Sequence, residues 1–98
     1  MFFPVFRPNG VVQDVSYTGT AGTTTNPVSL GCTVVRLLAT SACYVTISNT
    51  GNVVTATTAN GFYLPATTPE YVRVNVGDKI SAIQVSASGT LNVAEMQG

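Results

Sequence analysis

The chain has 98 residues, the common size of one domain and too few for two. Charged residues make up 8% of it and cancel to a net charge of zero, against about a quarter charged in an ordinary soluble domain. With no His, no Trp and four cations in all, the chain lacks the means for a basic nucleic-acid stripe, a Cys–His or Ser–His pair, or a zinc-ligand set, and no cofactor is expected. A neutral surface rich in Thr, Ser, Asn and Val does little to repel neighbours, as expected of a subunit packed against other protein.

Residues 1–10 read as an apolar arm and 11–98 as a single domain. Phe2, Phe3, Val5 and Phe6 hold three of the four phenylalanines and lead into Arg7-Pro8-Asn9-Gly10. The opening has no basic start and no small-residue cleavage site and is broken by Pro4, so it is not read as a secretory leader. No run of 18 apolar residues occurs, so no membrane partner is expected. One reading has Val5 and Phe6 begin the first strand and cover the chain's own sandwich. The other has the arm cross to a neighbouring subunit, where aromatic side chains dominate contact energies.

Val11 to Tyr17 (VVQDVSY) is the first predicted strand, and Thr18 to Asn26, with no apolar anchor, is predicted to be a mobile, solvated loop. Pro27 to Leu30 is predicted as a short edge strand, where Pro is tolerated. Thr33 to Ala39 (TVVRLLA) is nearly continuous in apolar character, which predicts a central strand covered on both faces except at Arg36. Buried there, Arg36 needs a partner, with Glu95 or Glu70 as candidates. Cys32 and Cys43 are expected to be reduced core residues, since two cysteines do not make a disulfide framework.

Cys43 to Ser48 (CYVTIS) alternates, placing Cys43, Val45 and Ile47 on one face and Tyr44, Thr46 and Ser48 on the other. Asn49-Thr50-Gly51-Asn52 supplies a turn, and Val53 to Ala59 (VVTATTA) is predicted as an exposed edge strand. Pro65 and Pro69 interrupt the chain after Gly61-Phe62-Tyr63-Leu64. Tyr71 to Val76 and Lys79 to Ala87 flank Gly77-Asp78 and predict a hairpin. The return strand carries apolar residues of both parities, which implies cover on both faces or a bulge near Ala82. Thr90 to Met96 closes the chain as a last strand. Seven or eight short strands at roughly ten-residue spacing predict an all-β, two-sheet antiparallel β-sandwich, jelly-roll-like, with an immunoglobulin-type sandwich as the alternative.

The RLLATSACYVTIS strand pair and the LPATTPEYVRVNVGDKISAIQVSASGTLNVAEM ending resemble small virion structural proteins of tailed bacteriophages. The pattern is an LPA-x-x-PEY strand, a V-x-x-GDKI hairpin and a G-T-L-N-V-x-E terminal strand, and it covers about two thirds of the chain. The resemblance implies a capsid cement or decoration subunit, or a related head or tail accessory protein. Its partner would be the major capsid protein or another virion protein, and it would sit on the outer surface of the capsid after assembly in the host cytoplasm.

Asp14, Glu70, Asp78 and Glu95 are scattered along the chain, so a two-carboxylate hydrolase is not expected and the protein is read as non-enzymatic. Asp78 is read as a turn residue bonding its own backbone. The remaining candidates are adhesive: the arm (Phe2, Phe3, Val5, Phe6 and Arg7), and Tyr44, Tyr63, Tyr71 and Arg73, because Tyr and Arg are enriched at interfaces. A homo-oligomer is expected, a trimer first and a dimer second. The competing class is a head-fibre or tail module that binds host-surface glycan, which requires aromatic platforms and polar groups converging on an exposed pocket.

Overall fold

The computed structural model describes residues 7–29, 32–49 and 53–97. Eight strands alternate with turns: β1 (Arg7–Tyr17), β2 (Gly22–Thr23), β3 (Val34–Ala39), β4 (Cys43–Asn49), β5 (Phe62–Leu64), β6 (Glu70–Arg73), β7 (Asp78–Gln84) and β8 (Gly89–Gln97). They form two four-stranded sheets, sheet A in the order β1-β8-β3-β6 and sheet B in the order β2-β7-β4-β5, and every pairing is antiparallel. The protein is an all-β sandwich. Four of its pairings are nested, β1 with β8, β2 with β7, β3 with β6 and β4 with β5. The first four strands thus pair in reverse order with the last four.

Period-2 patterning explains the core. Val35, Leu37 and Ala39 of β3, Leu91 and Val93 of β8, and Val15 and Tyr17 of β1 face inward from sheet A, meeting Cys43 and Val45 of β4, Leu64 of β5, and Ile80 and Ala82 of β7 from sheet B. β3 lies inside its sheet as its sequence predicts, with Val34, Arg36 and Leu38 only partly covered on the outer side. Cys32 and Cys43 are free and buried, and burial pushes both thiols above their ordinary range.

Several local expectations are corrected. The Gly77-Asp78 turn does not close a hairpin, because β6 pairs with β3 in sheet A whereas β7 pairs with β4 and β2 in sheet B. Alternating strands around a tight turn specify a reversal of the chain but not the sheet that the return strand joins. In this turn the Asp78 carboxylate accepts the Asn75 N–H at 2.8 Å, as read from the sequence. Residues 18–26 are not a mobile loop: β2 pairs with β7, and Thr24 is buried, exchanging N–H and hydroxyl bonds with Ile80 at 2.9 and 3.1 Å. Backbone and hydroxyl bonds supply the anchor that apolar side chains do not. Gly22 permits the approach, since a Cβ there would stand 2.1 Å from the Ser16 carbonyl oxygen.

Pro27, Val28 and Ser29 form no strand; Val28 enters the core and bonds the backbone of Asp78 and Gly77. Residues 53–59 are likewise irregular. Their polar groups bond side chains of sheet B: Thr46 donates to the Val54 carbonyl at 2.7 Å, Val54 N–H to Ser48 at 2.8 Å, and Ala56 N–H to Ser81 at 3.0 Å. This segment lies over the outer side of β4 and β7, so Ser81 is buried, while Lys79 and Ile83 on the same side of β7 are half-buried. Arg7–Gly10 belong to β1 rather than to an arm, and the β1–β8 register shifts between Pro8 and Val12. Residues 1–6 and the predicted turn at 50–52 lie outside the described residues.

Candidate binding surfaces

Six of the eight charged residues, Arg7, Asp14, Arg36, Glu70, Arg73 and Glu95, lie on strands of sheet A, and only Asp78 and Lys79 lie on sheet B. Glu95 points inward, where its carboxylate accepts the Ser29 N–H at 3.1 Å and hydroxyl at 2.9 Å. It is therefore not the partner of Arg36, and Glu70 sits opposite Leu37 rather than Arg36. Arg36 instead donates from Nη2 to Asn92 Oδ1 at 2.9 Å, and Asn92 Nδ2 donates to Asp14 Oδ1 at 3.1 Å. This relay crosses the outer face of sheet A from β3 through β8 to β1. Arg36 Nε is buried there without a hydrogen-bond partner.

Tyr71 and Arg73 stand on the same outer face, opposite Arg36 and Val34 of β3, and Tyr71 is 52% exposed. At the far end of β3 the face holds a cleft of about 280 Å³ lined by Asp14, Leu38, Ala39, Thr40, Thr67, Thr90 and Asn92. Its rim is formed by residues 65–69, tied to β3 where Thr67 N–H bonds the Ala39 carbonyl at 2.8 Å. Thr67 has φ of 57°, the only left-handed non-glycine backbone among the described residues. A β-branched residue is rarely held there.

Sheet B presents a different surface. Tyr44 and Tyr63 face each other across β4 and β5, edge to face, with ring centroids 5.9 Å apart. Tyr63 is 55% exposed, Val53 and Val54 of the segment over the sheet are each about 40% exposed, and Phe62, which shares the inward parity of Leu64, is 40% exposed at the end of β5. β5 reaches only as far as Val45 along β4. Beyond it a cleft of about 420 Å³ opens between Val45, Thr46, Ile47, Val54, Asn60 and Phe62.

The four interface candidates of the folded domain therefore divide, Tyr71 and Arg73 on sheet A and Tyr44 and Tyr63 on sheet B. Arg7 begins β1 opposite Gln97, while Phe2, Phe3, Val5 and Phe6 lie outside the described residues. Sequence reasoning missed Asp14, Asn92 and Thr67. The need of Arg36 for a partner was the usable signal, but it was sought among carboxylates and met by a carboxamide.

One end of the sandwich is held by a separate polar corner. Buried Tyr17 donates its hydroxyl to the Ser41 carbonyl, and Ser41 Oγ reaches the carbonyls of Ala87 and Ser88, each at 3.0 Å. Gly89 closes against this corner: a Cβ there would meet Ser41 Oγ at 2.3 Å and the Tyr17 hydroxyl at 2.8 Å. Burial pushes the Tyr17 hydroxyl above its ordinary pKa. The corner joins β1 to the β3–β4 and β7–β8 turns and serves structure.

No protein-family model, curated protein or solved structure matches the chain.

Proposed function

We propose that the chain is a non-enzymatic virion structural protein, a capsid cement or decoration subunit that acts as a homo-oligomer and docks on the major capsid protein through the sheet B surface. The observation that carries this reading is the segregation of charge: Val53, Val54 and Tyr63 are exposed on sheet B and the segment over it, whose strands carry two of the eight charged residues. Contact cores are depleted in charged residues and enriched in aromatic ones, so this side suits burial against protein. Sheet A, with Asp14, Arg36 and Arg73, suits water.

The nested strand pairing supports the same reading, because it is a pairing expected of a jelly roll, a fold common in viral shells. Such a subunit works without chemistry: interface area buried across seams between capsid proteins raises the free energy needed to separate them. Its place is the outer surface of the shell, where four cations in the whole chain face no packaged DNA.

Co-sedimentation with capsids prepared without this protein tests the reading. Saturable binding that also raises the temperature of capsid disruption is expected, and Tyr63→Lys should weaken it at least tenfold while Tyr71→Lys does not. Failure of the wild-type chain to sediment with such capsids overturns the proposal.

A further inference from the structure

The geometry points to a second site, on the face of sheet A turned away from the proposed docking surface: the cleft between Asp14, Leu38 and Thr67 binds one ring of a neutral sugar. The ligand class follows from the lining. Asp14 is exposed and places a carboxylate at the mouth, which accepts two hydrogen bonds from adjacent hydroxyl groups and turns anions away. Asn92 holds one carboxylate oxygen through Nδ2, and its second N–H is a donor for a ring hydroxyl. Arg36, bonded to Asn92 Oδ1, polarises that amide and strengthens it as a donor.

Thr40, Thr67 and Thr90 add hydroxyls at the wall, and Leu38 gives an apolar floor for the C–H face of the ring. A volume of about 280 Å³, at the lower edge of ordinary ligand pockets, admits one ring rather than a compact oligosaccharide. One backbone feature points the same way. Thr67 is held at a positive φ on the rim, and such strained positions concentrate at ligand-binding sites.

This inference goes beyond the assembly reading and does not rest on it, because the cleft is complete within one chain. The test is titration of the ¹⁵N-labelled protein with methyl glycosides of glucose, galactose, mannose, rhamnose and N-acetylglucosamine, read by amide chemical shifts, with glycerol as the control. One or more sugars should give saturable shifts at Asn92, Thr90, Leu38 and Thr67, with a dissociation constant on the order of millimolar for so small a ligand. Asp14→Asn, which keeps the shape and the bond from Asn92, should lower that affinity at least tenfold while the rest of the spectrum stays unchanged. Absence of shifts at these residues with all five sugars, equal shifts with glycerol, or undiminished binding by Asp14→Asn would each overturn it. None of these outcomes bears on co-sedimentation with capsids, so the two readings fail separately.

Discussion

On sheet A, Arg36, Asn92 and Asp14 form a hydrogen-bonded line on a surface that holds three of the protein's charges. On sheet B, the corresponding surface is roofed by residues 53–61, whose polar groups turn inward to Thr46, Ser48 and Ser81 while Val53 and Val54 face out. The two strategies satisfy the same requirement, that buried polar groups find partners, with opposite consequences outside. Side chains bonding one another within sheet A leave a polar, water-compatible face. A loop that satisfies its backbone on sheet B leaves its apolar side chains exposed.

The inner faces are expected to be equivalent where the outer ones are not. Leu37 of sheet A and Leu64 of sheet B are both fully buried, so Leu37→Ala and Leu64→Ala should each cost about 3 kcal/mol, measured by urea unfolding. A cost below about 1 kcal/mol for either would show that its sheet does not share in a common core.

Self-association tests both outer faces. Light scattering over a range of concentrations should show an oligomer that both Tyr63→Lys, on the surface proposed to dock on the capsid, and Tyr71→Lys leave intact. Dissociation by Tyr71→Lys would place the contact between subunits on sheet A, over the cleft proposed there, and dissociation by Tyr63→Lys would place it on the surface proposed for the capsid. A monomer at all concentrations would remove homo-oligomerisation from the assembly reading.

Sequence patterning made the sandwich and its core strands legible, because period-2 alternation reports burial directly. Cys43–Asn49 and Val34–Ala39 fall where their alternation and apolar runs place them. What stayed hidden was held by polar groups. β2 is two residues long and is held by backbone bonds and the Thr24 hydroxyl, which leaves no hydrophobic signature. The relay from Arg36 to Asp14 joins residues 22 positions apart in the chain through Asn92 on a third strand. Pairing register alone brings these together, and register depended on the sheet assignment that the Gly77-Asp78 turn concealed.

The Tyr17 corner ties both sheets at one end. Tyr17→Phe removes the hydroxyl that bonds Ser41 and should cost about 1.5 kcal/mol. It also has a pH signature. Burial raises the Tyr17 pKa in the folded state, so the associated stability is fully present below the unfolded value near ~10 and is lost as pH rises through the folded value. The buried thiols of Cys32 and Cys43 act in the same direction from a lower starting pH. Unfolding free energy should therefore fall on the alkaline side, and more gently in Tyr17→Phe; an identical alkaline limb would exclude Tyr17 as a contributor.

The smallest expected effect lies in the loop that closes the sheet A cleft. Thr67, at φ of 57°, holds its backbone N–H on the Ala39 carbonyl at 2.8 Å and donates its hydroxyl to the Ala66 carbonyl at 2.7 Å. Asn adopts the left-handed region more readily than a β-branched residue does, and it keeps the backbone bond to Ala39. Its amide also keeps a polar group on the rim. Thr67→Asn should therefore stabilise the protein by about 0.5–1 kcal/mol in urea unfolding. Loss of stability would mean that the Thr67 hydroxyl and methyl contacts outweigh the backbone strain. The roof over sheet B provides the contrast: because Asn holds the same backbone and a polar rim, Thr67→Asn should leave both sugar binding in the sheet A cleft and co-sedimentation with capsids through sheet B as they were, and the change should be confined to stability.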